Sequence, residues 1–218
     1  MANQSGAVYG LTILSPIIND PDIDVSHDVA IRQYLAVLAR DRHGPFAKGK
    51  PSRTHLARLV VMDDVVFVGA PATEEHLQSS YLIFESNFDG DLDSYLESMV
   101  EEMDDVVDAI WSHCVGYPGR DKQAFVGYMK KCQVETTFFF ADVNDRTVQQ
   151  TLRAIDAQQE LIAFIAESQG KPAEIIQRAF GQFWDNLQAA PDPLPGGMEP
   201  PREQRMVATP NTQGGRPQ

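Results

Sequence analysis

From Leu92 to Trp111 the apolar residues Leu92, Tyr95, Leu96, Met99, Val100, Met103, Val106, Val107, Ile110 and Trp111 recur at helical spacing. Asp93, Glu97, Glu101, Glu102, Asp104, Asp105 and Asp108 fill the opposite side. This pattern predicts a single long amphipathic helix. Ahead of it the period is shorter. "AVYGLTILSPI", 7–17, is β-branched and apolar and is closed by Pro16, so it reads as a strand. Residues 54–64 and 79–87 read the same way. Between the first two strands Ile31, Leu35 and Leu38 share one helical face, with Ser26 as N-cap and Gly44 as the stop. Residues 65–79 carry no consistent period. "VVFVG" extends the preceding strand, Gly69 and Pro71 break it, and "ATEEHLQ" reads as a short helical turn. Beyond the long helix, "GYPGRD" is a turn and "AFVGYMKKC" a short helix. "VETTFFFADV", 134–143, reads as a strand because it is rich in aromatic and β-branched residues. A second long helix follows, capped by Asn144 or Asp145 and ended by Gly170. A last amphipathic helix, 173–188, sets Ile176, Phe180, Phe183 and Leu187 near one side, with Pro172 near its first turn. From residue 190 onward there are seven prolines and no aromatic residue, which predicts a disordered tail.

The element order is β-α-β-β-α-(α)-β-α-α. Its core is the βαββαβ, split-βαβ arrangement, so the expected fold is α+β and ferredoxin-like, with an antiparallel four-stranded sheet plus extra C-terminal helices. The expected organisation is a domain over 1–170, an appended helix over 171–189 and the tail over 190–218. One sheet face takes the helices and the other must also be covered. Alternate strand residues such as Leu82, Phe84 and Phe139 are expected to make that second face apolar. Two such sheets packed face to face would form a dimeric α+β barrel, with a pocket beside the sheet.

Composition narrows the partners. The net charge is −13 across 218 residues, and no Lys/Arg cluster reverses it locally. Nucleic acid and an anionic membrane surface are therefore disfavoured. Apolar runs are too short to span a bilayer, and "MANQSGAVYG" has no basic segment followed by an apolar one. The two cysteines, Cys114 and Cys132, sit in no CxxC pair and read as reduced thiols. Together these point to a cytoplasmic protein.

Candidate chemistry gathers at the strand ends. In "SNFDG", Gly90 suits a sharp strand-to-helix turn, and Asp89 or Asp91 can accept from the free N–H groups of the next helix. That structural role is sufficient. The functional alternative is that Asn87 or Asp89 reaches a pocket at the sheet end. His113 stands where the long helix ends, beside the Gly116-Tyr117-Pro118 turn. It is either a dipole-stabilising residue or a metal ligand. In "RTHLARLV", a regular strand would point His55 and Arg58 to opposite sides. The stripe of Glu97, Glu101 and Asp105 lacks the EF-hand pattern.

The segments Thr54-His55-Leu56-Ala57-Arg58, Ser86-Asn87-Phe88-Asp89-Gly90 and His113-Cys114-Val115-Gly116-Tyr117-Pro118 resemble a family of bacterial proteins with THxAR, SNxDG and HCxGYP motifs. The resemblance covers roughly 8–170 and implies a fold without a particular activity. More distantly, SNFDG is similar to the GxxDG turn of dye-decolorising peroxidases. Those are haem enzymes of two ferredoxin-like domains in which the turn's Asp is the distal acid/base. Here Ser86 replaces the first Gly, and only one ferredoxin-like unit is present. The resemblance implies haem as the candidate cofactor. His113 would be its axial metal ligand, Asn87 and Tyr117 would bind cofactor, and Asp89, His55 and Arg58 would be catalytic. Two functions are thus in view. One is a small-molecule-binding protein, an oxidoreductase of peroxidase-like type acting on a small apolar substrate. The other is a non-catalytic binding or assembly module that packs its sheet face and helix 173–188 on a second copy or another protein.

Overall fold

The computed structural model describes residues 3–41, 44–47 and 53–190. The chain is α+β, with a four-stranded antiparallel sheet and six α-helices among those residues. The expected tail lies almost wholly in 191–218, outside the described residues.

The strands are β1 (Gln4–Ser5), β2 (Val8–Pro16), β3 (Thr54–Met62) and β4 (Tyr81–Asp89), in the order β1-β2-β4-β3. Strand β4 lies between β2 and β3 and is antiparallel to both, so β2 and β3 run parallel. They are joined through α1 (His27–Leu38), which makes a split βαβ unit. Ser26 is the N-cap of α1, and residues 63–80 form no helix or strand.

The fourth strand is not the one the sequence pattern predicts. Residues 134–143 form no strand. Asn3 to Ser5 turn back at Gly6 and pair with Tyr9 and Val8, occupying that half of the free edge of β2. What remains for the aromatic segment is a bridge between Ile13 and Gln133 and one bond from the N–H of Val134 to the carbonyl of Thr12. Beyond it the segment is held by two side chains of the N-terminal segment and one backbone bond at its end. The N–H of Thr136 donates to Asn3 Oδ1, the N–H of Ala141 donates to Ser5 Oγ, and the N–H of Ala7 donates to the carbonyl of Asn144. Aromatic and β-branched content favours an extended chain, but a strand also needs an open edge.

The predicted long helix is two helices, α2 (Leu92–Glu102) and α3 (Asp104–Trp111), broken at Met103 (φ −139°, ψ 38°). A continuous helix would stack the carboxylates of this segment at three- and four-residue spacing. The break places Asp104 and Asp105 in the first turn of a new helix, where the dipole favours them. Helix α4 is Lys122–Cys132.

Leu11, Ile13, Leu82, Phe84 and Phe88 face Tyr95, Leu96, Met99, Ile110, Trp111, Phe125 and Met129 in one buried core. Leu82 and Phe84 therefore fill the helix side of the sheet rather than its second face. Phe139 does lie against the second face, with its ring over Gly10. Farther along that face Leu14, Ile83, Leu56 and Val60 are half-buried or exposed. Helix α5 (Val148–Ser168) begins with a capping box of Thr147 and Gln150. The predicted caps stand three and two residues earlier, and Asn144 instead donates to Ser5 Oγ. Gly170, with φ +74°, ends α5 as expected. Helix α6 (Ala173–Ala189) lies on α5 through Phe164, Phe180 and Phe183. No described helix is long and apolar enough to cross a membrane.

Candidate functional site

The turn after β4 divides its work between two carboxylates. Asp91 caps α2, accepting from the N–H of Ser94 at 2.9 Å and from Ser94 Oγ at 2.6 Å. These bonds hold its carboxyl below the usual range. Gly90, at φ +95°, supplies the backbone conformation between them. Asp89 is left free to point away from α2, and it is buried. Its Oδ1 meets His55 Nε2 at 2.8 Å, and its Oδ2 accepts the N–H of Val148, the first residue of α5, at 2.7 Å.

His55 reaches Asp89 because β3 is irregular there. Thr54 pairs with Phe88 and Leu56 with Asn87, so a bulge falls at His55. The bulge overturns the expectation that His55 and Arg58 face opposite ways. Both lie on the side of the sheet away from the helices, yet they do not meet. Arg58 pairs across the strands with Glu85, largely exposed. Asn87 lies opposite Gly10 on the same face.

Beside Asp89 is a cavity of about 580 Å³, walled by Gly6, Ala7, Arg53, Asp89, Asp91, Thr147 and Gln149 among others. Arg53 is steadied by Ser94 Oγ at 2.7 Å. Behind the cavity, Tyr95 stacks on Phe88 at a centroid distance of 3.7 Å. Its hydroxyl bonds Ser86 Oγ at 2.7 Å and Thr54 Oγ1 at 3.1 Å. Burial pushes the Tyr95 phenol up, so it stays neutral.

His113 is elsewhere. Asp89 pairs with Val8 at one end of β2, whereas Ile17, just past the other end, bridges to Cys114. Nine residues of extended chain separate the two ends by about 30 Å. His113 Nδ1 lies 2.8 Å from His27 Nδ1, with the rings 5.1 Å apart. Burial, and secondarily His27, pushes His113 below the usual imidazole range. Tyr117 donates to Asp108 Oδ1 at 3.2 Å, and burial lifts its phenol to about 12. Arg120 closes the same corner with Asp104, Asp105 and Asp108.

Among the described residues no group of three or more His, Cys, Asp or Glu side chains is placed to hold a metal ion. The residues implied by the peroxidase resemblance do not fit one haem. Asp89 and His113 sit at opposite ends of the sheet, and His113 is turned onto His27. Sequence reasoning missed Arg53, Thr147, Val148 and His27. Thr147 carries a local signal, the capping-box spacing to Gln150, whereas Arg53, Val148 and His27 matter through long-range contacts that no local spacing encodes. Searches of protein-family models, curated proteins and solved structures return no match for this chain.

Proposed function

We propose that this chain is a non-catalytic assembly module whose bare sheet face and C-terminal helices bury against a protein partner. One observation carries this reading: the apolar surface the fold leaves uncovered. Val60 (40% exposed) stands on the sheet face beside half-buried Ile83, with half-buried Leu14 on the next strand, and Leu56 (61%) stands on the same face on the other side of Arg58. Helix α6 has no fully buried residue and exposes Ile175, Phe180 and Trp184. Val60, Ile83 and Leu14 lie side by side across three strands, and an exposed apolar patch of this kind marks an interaction site. The split βαβ unit, with Gln4–Ser5 at the edge where a last strand would lie, supports a ferredoxin-like fold, which presents one such face.

The test is the double substitution of Leu56 and Val60 by Lys in the full chain, expressed in its native cells. The wild type should migrate in extracts as a larger complex. The variant should migrate as a lone chain with an unchanged circular dichroism spectrum. Equal, monomeric migration of both would overturn the reading.

The cavity at the sheet end favours a second reading, a small-molecule site. Arg53 and Asp91 offer charges of both signs there, and the His55–Asp89 pair stands at its wall. This reading expects a ligand that raises the melting temperature of the wild type and loses that effect in Arg53→Ala.

A further inference from the structure

His27 and His113 are 86 residues apart in the chain, yet their Nδ1 atoms face each other at 2.8 Å. The backbone holds both residues in place. His27 is the first residue of α1. The carbonyl of His113 accepts the N–H of Ile18 at 3.0 Å, and Cys114 bridges to Ile17 just past the end of β2. The ring centroids are 5.1 Å apart and the planes are tilted by 57°, so the rings meet at their nitrogens rather than stack. Two neutral imidazoles meet in this way only when one Nδ1 carries a proton and the other accepts it. A metal ion in place of that proton would bond to both nitrogens at once.

The distance selects the ion. Metal–imidazole bonds are about 2.0–2.1 Å long, so an ion bound to both nitrogens at this spacing would see them about 84–89° apart. A tetrahedral ion such as Zn²⁺ needs them about 3.3–3.4 Å apart. A right angle is the cis arrangement of a tetragonal ion, and nitrogen ligands in tetragonal geometry suit Cu²⁺ and Ni²⁺. The surroundings suit a cation. His113 follows Ser112, the C-cap of α3, at the end of the helix where the dipole is negative. The first turn of α1 has the opposite polarity, and Asp28 in that turn offsets it. Next to the pair is a cavity of about 200 Å³. Its wall includes Ser26 and Asp28, on either side of His27, and Ile17 and Ile18, which hold the 113–114 segment. Asp20 and Asp63 stand there too, in a chain of net charge −13, so the approach is negative. We infer that His27 and His113 form a binding site for a tetragonal transition-metal ion, Ni²⁺ or Cu²⁺, held through both Nδ1 atoms with water in its other positions. The ion displaces the single proton that the two nitrogens share. Among the described residues no group of three or more His, Cys, Asp or Glu side chains is placed to hold a metal ion, so the site has two protein ligands and exchanges its ion readily. It lies at the other end of the sheet from Asp89 and does not depend on the reading of the chain as an assembly module.

The test uses the full chain at pH 8 with Ni²⁺ alone as the probe. The chain has five histidines, and their ring C–H signals can be followed separately by NMR. Ni²⁺ is paramagnetic and broadens the signals of the rings it binds. Added below one equivalent, it should broaden His27 and His113 ahead of His43, His55 and His76. Calorimetric titration should saturate at one ion per chain at micromolar concentration. His27→Gln and His113→Gln should each remove that step while the circular dichroism spectrum stays unchanged. The order of broadening is read on the wild type, so it decides the matter even where a variant does not fold. Zn²⁺ should compete poorly for the site. Broadening led by other histidines, or no saturation by millimolar Ni²⁺, would mean an adventitious ion only and overturn the site. Displacement of Ni²⁺ by an equal concentration of Zn²⁺ would overturn the right-angled geometry and with it the choice of ion.

Discussion

His55 Nε2 lies 2.8 Å from Asp89 Oδ1, while the other oxygen of the same carboxylate accepts the N–H of Val148. One buried side chain thereby joins the bulge of β3, the end of β4 and the start of α5. Replacing Asp89 with Ala leaves the N–H of Val148 without its acceptor and the imidazole without its partner. The expected cost is about 1–3 kcal/mol. Urea unfolding should show it, and amide exchange should quicken first around 147–152. Asp89→Asn should cost less, because the amide oxygen still accepts from Val148. A stability equal to wild type in Asp89→Ala would remove Asp89 from this structural role and leave only a role in the cavity.

The contact between His27 and His113 predicts a pH dependence with a definite sign. Two imidazole nitrogens at 2.8 Å share one proton, so the pair tolerates at most one charge. Folding lowers His113 below its ordinary 6.5. The unfolded chain therefore binds its proton first as pH falls. The stability contributed by neutral His113 is complete above about pH 6.5 and is lost as pH drops through the lower, folded value. Denaturant midpoints between pH 8 and 5 should fall in the wild type. They should fall less in His113→Gln. A wild-type profile parallel to that of the variant would remove the pair as the source.

Much of this fold is legible in the sequence wherever one rule acts alone. Ser26 before an apolar period gives the start of α1, and Gly170 gives the end of α5. Failure came where two rules competed. The apolar period runs unbroken through Met103, but carboxylates on both sides favour a fresh helix N-terminus, and the period cannot register that. "VETTFFFADV" has strand composition, but Asn3 to Ser5 had already occupied part of the edge of β2. The site was half legible. Asp89 and His55 stand out by type and by their place at strand ends. Their contact depends on a bulge, and their third partner is a backbone N–H with no side-chain signature. His113 also stands out, yet His27, 86 residues away, decides what it does.

The two thiols should behave differently. Cys114 is buried, and burial, reinforced by the nearby Cys132, pushes its thiol up to about 12. At pH 8 its thiolate fraction is on the order of 10⁻⁴. Cys132 is half-buried at the end of α4. Maleimide labelling of the folded chain at pH 8 should modify Cys132 and spare Cys114, and both should react in denaturant. Equal native rates would mean that the end of α3 opens readily, contrary to the packing of Trp111 and Cys114 in the core.

Gly10 and Phe139 supply a test of how the irregular segment after α4 is held. A Cβ on Gly10 would lie 2.7 Å from Cδ2 of the Phe139 ring. The backbone at Gly10 is ordinary strand, so the cost of Gly10→Ala is steric rather than conformational. Either the ring lifts from the sheet or β2 shifts, and overpacking of this kind costs about 1–3 kcal/mol. Phe139→Ala alone removes the ring and loses its partial burial. In the double variant the new methyl occupies space the ring has vacated, so the two costs should not add. A double-mutant cycle by urea unfolding should give a favourable coupling of about 1 kcal/mol or more, within the range found for residues in contact. Additive losses would mean that Phe139 does not rest on Gly10 in solution. Residues 134–143 would then be held by Asn3, Ser5 and Thr12 alone, and the sheet face would be barer than its half-buried residues indicate.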